Sequence, residues 1–384
     1  HNGERTWRNL LKADPSVDLV HFTILRPPEK QDGTPTEELA LISFPTRQLF
    51  AQKLNEFDLV IFDRYRRRGV LPILYLANIA RYVSEGGALL TAAGPSFATP
   101  YSLFRTPPAE VLPARPSGQV IEKGFRPKVS VEGARHPVTA GLTGANDPFT
   151  KTDPDWGHWY RLIGVDKLSG ETVLEGPHGK PLLILDRFGE GRVAQMMSDH
   201  AWLWARGYEG GGPQAELLRR LAHWLMKEPE LEEEVLRAVI EGETMKITRR
   251  TMSPQINEIV VTAPDGSKET VTLTETEHGL WQASLPVSGL GLYHIGDGNR
   301  TALAVAGPVN PREYANILAT EEKLAPLAAA TGGKLTWIAS GALPDLRNVA
   351  TGRSMRGNNW IGVQRNGAYV VTSTTTRPLM PAWL

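Results

Sequence analysis

The chain has 384 residues, enough for two or three domains that each bury a core. Its 42 Lys and Arg balance 42 Asp and Glu, so no net field draws it to nucleic acid or to an anionic membrane, and the absence of cysteine excludes disulfides, thiolate metal sites and cysteine nucleophiles. At 41% hydrophobic and 22% charged the composition is ordinary for a globular protein, and no run reaches the ~18 apolar residues that span a bilayer.

In chain order, the first half alternates helix-like and strand-like segments. Residues 6–11 have the spacing of a short helix, 17–25 (VDLVHFTIL) that of a strand, and 46–54 that of a helix with Leu49, Phe50 and Leu54 on one face. The run 58–63 (DLVIFD) reads as a buried parallel strand ending in an acid. Residues 71–84 then predict a helix with Pro72 in its first turn, Gly86 and Gly87 stop it, and 88–93 predict the next apolar strand. Such alternation belongs to a doubly wound, flavodoxin-like α/β domain. Residues 120–131 read as an inserted hairpin outside it, whereas 181–186 (PLLILD) and 192–197 (RVAQMM) flank glycines suited to a hairpin turn. A helix over 213–227 closes the domain.

From residue 231 the period changes to two. Strands are expected over 235–240, 246–250, 256–263, 270–274, 280–285 and 291–295, the pattern of a small antiparallel β-sandwich. A short α/β tail follows, opening at Asn310–Tyr314 (NPREY), with a helix over 321–330, a strand over 334–338 and an apolar end at 378–384. The expected domains are therefore 1–228, 229–309 and 310–384, with the acidic stretch 228–234, which contains Pro229, as the linker.

Three groups of residues are candidates for a site. Ser96 follows a buried strand in Gly94-Pro95-Ser96-Phe97-Ala98, an approximation to the G-x-S-x-G elbow, and Asp199-His200 follows another strand end where it would supply base and orienter; the bland alternatives are a Gly-Pro turn and a locally bonded histidine. The stretch 198–212 (SDHAWLWARGYEGGG) sets Trp202, Trp204, Arg206, Tyr208 and Glu209 before three glycines and a helix, either a ligand or partner surface or an aromatic plug over the sheet edge. Asp63 and Arg64 end a strand, and Arg64 opens the run RYRRR, a solvated loop or a flank of a cleft. Histidines 136, 158 and 200 lack metal-ligand spacing, so no metal and no cofactor are expected.

The segments GERTWR (3–8), LVIFD (59–63), GGALL (86–90), RHPVT (135–139) and SDHAW (198–202) resemble a group of bacterial membrane proteins of the von Willebrand factor A type that carry a class I glutamine amidotransferase-like domain. The resemblance spans essentially the whole chain. It implies an inner-membrane protein whose present portion is a periplasmic piece, preceded by an apolar strand and followed by a membrane helix after Leu384. It also implies membrane-associated protein partners, including a von Willebrand factor A domain and a MoxR-type ATPase. Amidotransferases of that fold use a cysteine on the elbow and a late His and Glu; this chain has Gly94-Pro95-Ser96 at the elbow, and two residues beyond His200 stands Trp202. The leading expectation is thus a non-catalytic interaction or scaffold module with a degenerate amidotransferase-like domain. A serine hydrolase using Ser96 with His200, or with an acid such as Asp63, and a small-molecule binding module are the alternatives.

Overall fold

The structure, a computed structural model, describes residues 2–22, 45–256, 258–307, 320–338, 343–364 and 370–377. They fall into two units, His1–Thr320 and Glu321–Leu384. The expected segment 310–314 and the apolar end 378–384 lie outside the described residues.

The first helix, α1 (Asn2–Ala13), outruns its prediction and buries Trp7 and Leu11, four residues apart on one face. The strand expected over 17–25 is not formed across 17–22, and 23–25 lie outside the described residues; Val17 and Leu19 pack against the core without joining a ladder. The helix expected over 46–54 is a π-helical turn, Gln48–Gln52, followed by a 3-10 turn, Leu54–Glu56, which still buries Phe50 and Leu54. Strand β1 (Leu59–Asp63) leads to α2 (Ile73–Ser84), with Pro72 at its N-cap, and then to β2 (Ala88–Ala92), every residue of which is buried. Gly87 lies under the Tyr82 ring, where a Cβ would come within 2.1 Å, so a side chain there is excluded.

The segment expected as an inserted hairpin feeds two different sheets. Strand β3 (Ala114–Ile121) pairs antiparallel with β5 (Leu162–Lys167), and β4 (Lys128–Val129), which precedes the one-turn α3 (Val131–Arg135), pairs with β6 (Glu171–Glu175). Between them Phe125 exchanges backbone hydrogen bonds of 2.9 and 2.8 Å with Trp159, so the strand ends are drawn to distant partners instead of to each other. The expected hairpin of β7 (Pro181–Phe188) and β8 (Gly191–Met196) does form. The central sheet has the order β1-β2-β8-β7-β6-β4, its first three strands parallel and the rest antiparallel. After β8 come the single turn α4 (Trp202–Ala205) and α5 (Gln214–Leu225), which buries Leu217, Leu218, Leu221, Trp224 and Leu225 against the sheet layer.

Eight strands then build two antiparallel four-stranded sheets. They are β9 (Val235–Glu241), β10 (Thr244–Arg250), β11 (Ile259–Thr262), β12 (Lys268–Val271), β13 (Thr274–Glu277), β14 (Leu280–Pro286), β15 (Gly291–Gly296) and β16 (Thr301–Ala306), ordered β13-β14-β10-β9 and β12-β11-β15-β16. Their alternation buries Leu236, Met245, Ile247, Ile259, Val261, Tyr293 and Ile295 in a second core. The single strand expected over 270–274 is divided between the two sheets, turning at buried Leu273. The architecture is therefore a mixed α/β sheet followed by antiparallel β-sheets.

The acidic stretch between the cores is paired to both. Glu232 meets Arg187 and Arg192; Glu233 meets Arg187, His136 Nε2 at 3.3 Å and the Trp224 indole at 2.7 Å. Glu234 turns the other way, to Arg249 at 2.7 Å and to the Thr251 hydroxyl at 2.6 Å. Three successive glutamates in the stretch expected as the linker thus pair with both the α/β layer and the sandwich.

The second unit holds α6 (Ala325–Thr331) and a parallel pair, β17 (Asp345–Val349) and β18 (Trp360–Gln364). No strand forms over 334–338. Lys334 reaches the carbonyl of Gly357 and Trp337 donates to Glu321, contacts made by side chains in place of a backbone ladder.

Candidate functional site

The carboxyl ends of the three parallel strands lie along one edge of the sheet, the place where open α/β folds collect functional groups. Asp63 ends β1, and Arg64 turns the chain with a left-handed φ of 52° while its N–H donates to the Ala92 carbonyl at 2.8 Å. Its side chain lies across Gly94, where a Cβ would stand 3.2 Å from Nε, so a larger residue at 94 would displace it. Nε then reaches Asp199 Oδ2 at 3.0 Å. Asp199, three residues beyond the end of β8, is almost wholly buried and also receives Arg161 Nη1 on both oxygens at 3.2 Å, while Arg161 continues to Glu122 at 3.3 Å.

His200 is hydrogen-bonded through one ring nitrogen among the described residues. Nδ1 accepts the Tyr160 N–H at 3.1 Å, which assigns the imidazole proton to Nε2, and Nε2 stands 3.8 Å from Asp199 Oδ1, beyond hydrogen-bond reach. Burial lowers the pKa of His200, and Arg161 and Arg64 counter the upward pull of Asp199, so the surroundings favour the neutral ring. Ser96 lies in the 3-10 turn Pro95–Ala98, and its carbonyl accepts from the N–H and hydroxyl of Thr99 at 3.2 and 2.8 Å. Among the described residues no hydrogen bond joins the Ser96 hydroxyl to His200. Asp63, Arg64, Asp199 and His200 thus gather at one edge, and Ser96 is not linked to them. Beside Asp63 and Asp199 a cavity of about 10 Å³, lined also by Thr6, Trp7, Ser198, Trp202 and Leu218, has the room of a single water.

The aromatic stretch is two things at once. Trp204 is buried, its ring 5.1 Å from that of Trp156 and 4.8 Å from that of Trp159, and its indole donates to the Gly157 carbonyl at 2.8 Å. Gly212 and Gly157 make this fit: a Cβ at Gly212 would meet the Trp204 ring at 2.5 Å, and one at Gly157 the Tyr208 carbonyl at 2.2 Å. That inner half is a plug. The outer half is exposed: Glu209, at a left-handed φ of 49°, pairs with His158, and the Tyr208 and Tyr160 hydroxyls lie 2.9 Å apart. Arg206 is exposed, and Trp202 is half-buried with its indole N–H lacking a partner.

Sequence reasoning missed Arg161, Glu122 and Tyr160. None belongs to a motif, and only the pairing of β3 with β5, which is not encoded locally, brings the first two beside Asp199. Among the described residues no group of three or more His, Asp or Glu side chains is placed to hold a metal, and no helix is long and apolar enough to cross a membrane.

The chain is, by topology, a mixed-sheet α/β protein joined to antiparallel β-sheets, with an arginine-clamped acid at the sheet's carboxyl edge. No protein-family model and no curated protein matches its sequence. Solved structures similar to it include the cytoplasmic protein STM3548 from Salmonella typhimurium, at 22% identity and a TM-score of 0.37, over 45% of this chain and 73% of that one. Cytoplasmic protein STM1381 from Salmonella typhimurium LT2 gives 20% identity and a TM-score of 0.36, over 47% and 76% of the two chains. A β-galactosidase from Bacillus circulans sp. alkalophilus gives 13% and 0.29, over 64% of this chain and 34% of that enzyme. None of these likenesses assigns a role to a residue of this chain.

Proposed function

We propose that the chain is a non-catalytic interaction or scaffold module with a degenerate amidotransferase-like domain. The observation that supports this reading is the state of His200. A general base needs a free lone pair near the nucleophile's proton, and here one nitrogen accepts a backbone N–H while the other carries the proton. The neighbouring carboxylate, which in a relay would orient the imidazole, is held by two guanidinium groups instead. Glutamine hydrolysis by this type of fold also requires a thiolate, and the chain has no cysteine. The test is turnover of glutamine and of an activated aryl ester by the full chain and by Ser96→Ala. Neither protein should exceed the buffer rate; ester hydrolysis abolished by Ser96→Ala would establish the serine hydrolase alternative.

The sequence resemblance to von Willebrand factor A type membrane proteins supports a location at the outer face of a bacterial inner membrane, with membrane-associated subunits and a MoxR-type ATPase system as partners. Ser267 lies in an exposed turn after Pro264-Asp265-Gly266, and Ser267→Cys in the full-length protein places a reporter thiol there. In whole cells a thiol reagent that does not cross the inner membrane should label it. Labelling only after lysis would refute this location.

A further inference from the structure

The run RYRRR, which the site at Asp199 uses only through Arg64, is not a solvated loop. Arg66, Arg67 and Arg68 are each half-buried, and none forms an ion pair among the described residues. The loop is held in one shape. Arg67 N–H donates to the Tyr101 carbonyl at 3.0 Å, the Arg66 guanidinium lies 4.5 Å from the Tyr101 ring centroid, and Tyr65 stacks on Phe62 at 4.9 Å. Residue 71, where the loop ends, is buried leucine.

Neither residues 64–72 nor the facing loop, 94–106, contains an acid, while together they carry Arg64, Arg66, Arg67, Arg68 and Arg105. A chain of zero net charge therefore sets four arginines, Arg64 and Arg66 to Arg68, in the loop after one strand end, with Asp199 answering only the first. Arg68 Nε is fully buried without an acceptor, so the guanidinium is held in the loop and carries its charge uncompensated. Beside the arginines the chain exposes apolar surface. Ile73 and Leu74, in the first turn of α2, are 60% and 68% exposed, and Tyr101 is 46% exposed.

Resting on the interaction reading above, we propose that residues 64–74 with Tyr101 form the docking surface for an acidic segment of a partner protein, one that interleaves carboxylates with apolar side chains. Arginine and tyrosine beside exposed aliphatic residues are the composition of protein-binding hot spots. Guanidinium forks match carboxylates in geometry, and their pre-set loop reduces the ordering cost of binding. A small anion alone would leave Ile73 and Leu74 uncovered.

The test uses the 384-residue chain and a fluorescein-labelled synthetic peptide of about twelve residues with alternating Glu and Leu or Phe, read by anisotropy. Binding should weaken at least tenfold for Arg66→Glu with Arg67→Glu, and several-fold for Ile73→Ser with Leu74→Ser. It should also weaken when salt rises from about 50 to about 500 mM, because contacts between exposed charges are screened. Arg66→Gln with Arg67→Gln keeps the test open if the charge reversal fails to fold, and should weaken binding at least several-fold. Absence of binding, or binding indifferent to both arginine pairs, overturns the surface. Arginine-dependent binding that ignores Ile73 and Leu74 and yields to tripolyphosphate, or to single-stranded DNA in preference to the peptide, overturns its assignment to an acidic protein segment. Ester turnover would overturn the non-catalytic reading and leave this surface standing, whereas failure of the peptide leaves that reading standing.

Discussion

Replacing Glu233 by glutamine removes one charge from the junction between the two cores and almost nothing else. The carboxylate is 12% exposed and accepts from the Trp224 indole, from His136 and from Arg187. Removing one partner of a buried pair costs about 3–5 kcal/mol, but Arg187 is half exposed and keeps Glu232, so about 2–3 kcal/mol is expected. For domains of this size each kcal/mol moves Tm by roughly 2–4 °C, giving a fall of about 4–12 °C. Differential scanning calorimetry at pH 7 would read it, with the exposed Glu243→Gln as control. Burial raises the Glu233 pKa, but the hydrogen bond from His136 and the charge of Arg187 outweigh it and hold the carboxyl well below the usual carboxylate range. The folded pKa is depressed, so the stabilisation is fully present above the unfolded value of about 4.3 and is lost as pH falls through the folded value. The gap between wild type and Glu233→Gln should therefore hold steady from pH 7 to about 5 and narrow in stronger acid. A shift no larger than that of Glu243→Gln would refute the junction as a source of stability.

Two further outcomes follow from the same chemistry. Asp199→Asn leaves Arg64 and Arg161 converging on a neutral amide, and should lower stability by about 2–4 kcal/mol in urea denaturation; an unchanged midpoint would show that neither contact matters. His223 joins α5 to Asp14 at 2.7 Å, and its pKa is raised by Glu228 and Asp14 against burial; burial would raise the Asp14 carboxyl, but the hydrogen bonds from His223 and Ser16 bring it down to about 2. Stabilisation from His223 is complete below its unfolded pKa of about 6.5 and disappears as pH rises through the raised folded value, so His223→Asn should lower Tm more at pH 6 than at pH 9. An equal loss at both would refute the charged bridge.

What could be read from the sequence was local. Apolar runs with glycine or proline at their ends located β1, α2, β2, the β7–β8 hairpin and α5 to within a few residues, because burial and turn chemistry act on neighbours. Period-two alternation located five of the sandwich strands, merged β12 and β13 into one, and missed β16, whose sequence after Thr301 is apolar throughout. Pairing between distant segments was not legible. Residues 120–131 look like a hairpin, yet their partners lie at 162–167 and 171–175, and Arg161 reaches Asp199 only through that arrangement. The stretch 228–234 reads as a linker from Pro229 and the change of period, and the arginine and histidine partners of its glutamates, up to about a hundred residues away, are not legible in it. At the site, Asp63, Arg64, Asp199 and His200 were found because strand ends converge, and the bond that commits His200 depends on Tyr160, which no motif marks.

The strand order also sets a timetable for synthesis. Ala88 of β2 pairs with Arg192 of β8, so one edge of a strand whose residues are all buried has no partner until about a hundred more residues have been made. At roughly 5–20 residues per second that is an interval of about 5–20 s, during which β2 can pair only with β1. An apolar strand with an open edge is a template for wrong pairing between neighbouring nascent chains. The β7–β8 hairpin, once made, covers that edge and ends the interval in which β2 is open to such pairing.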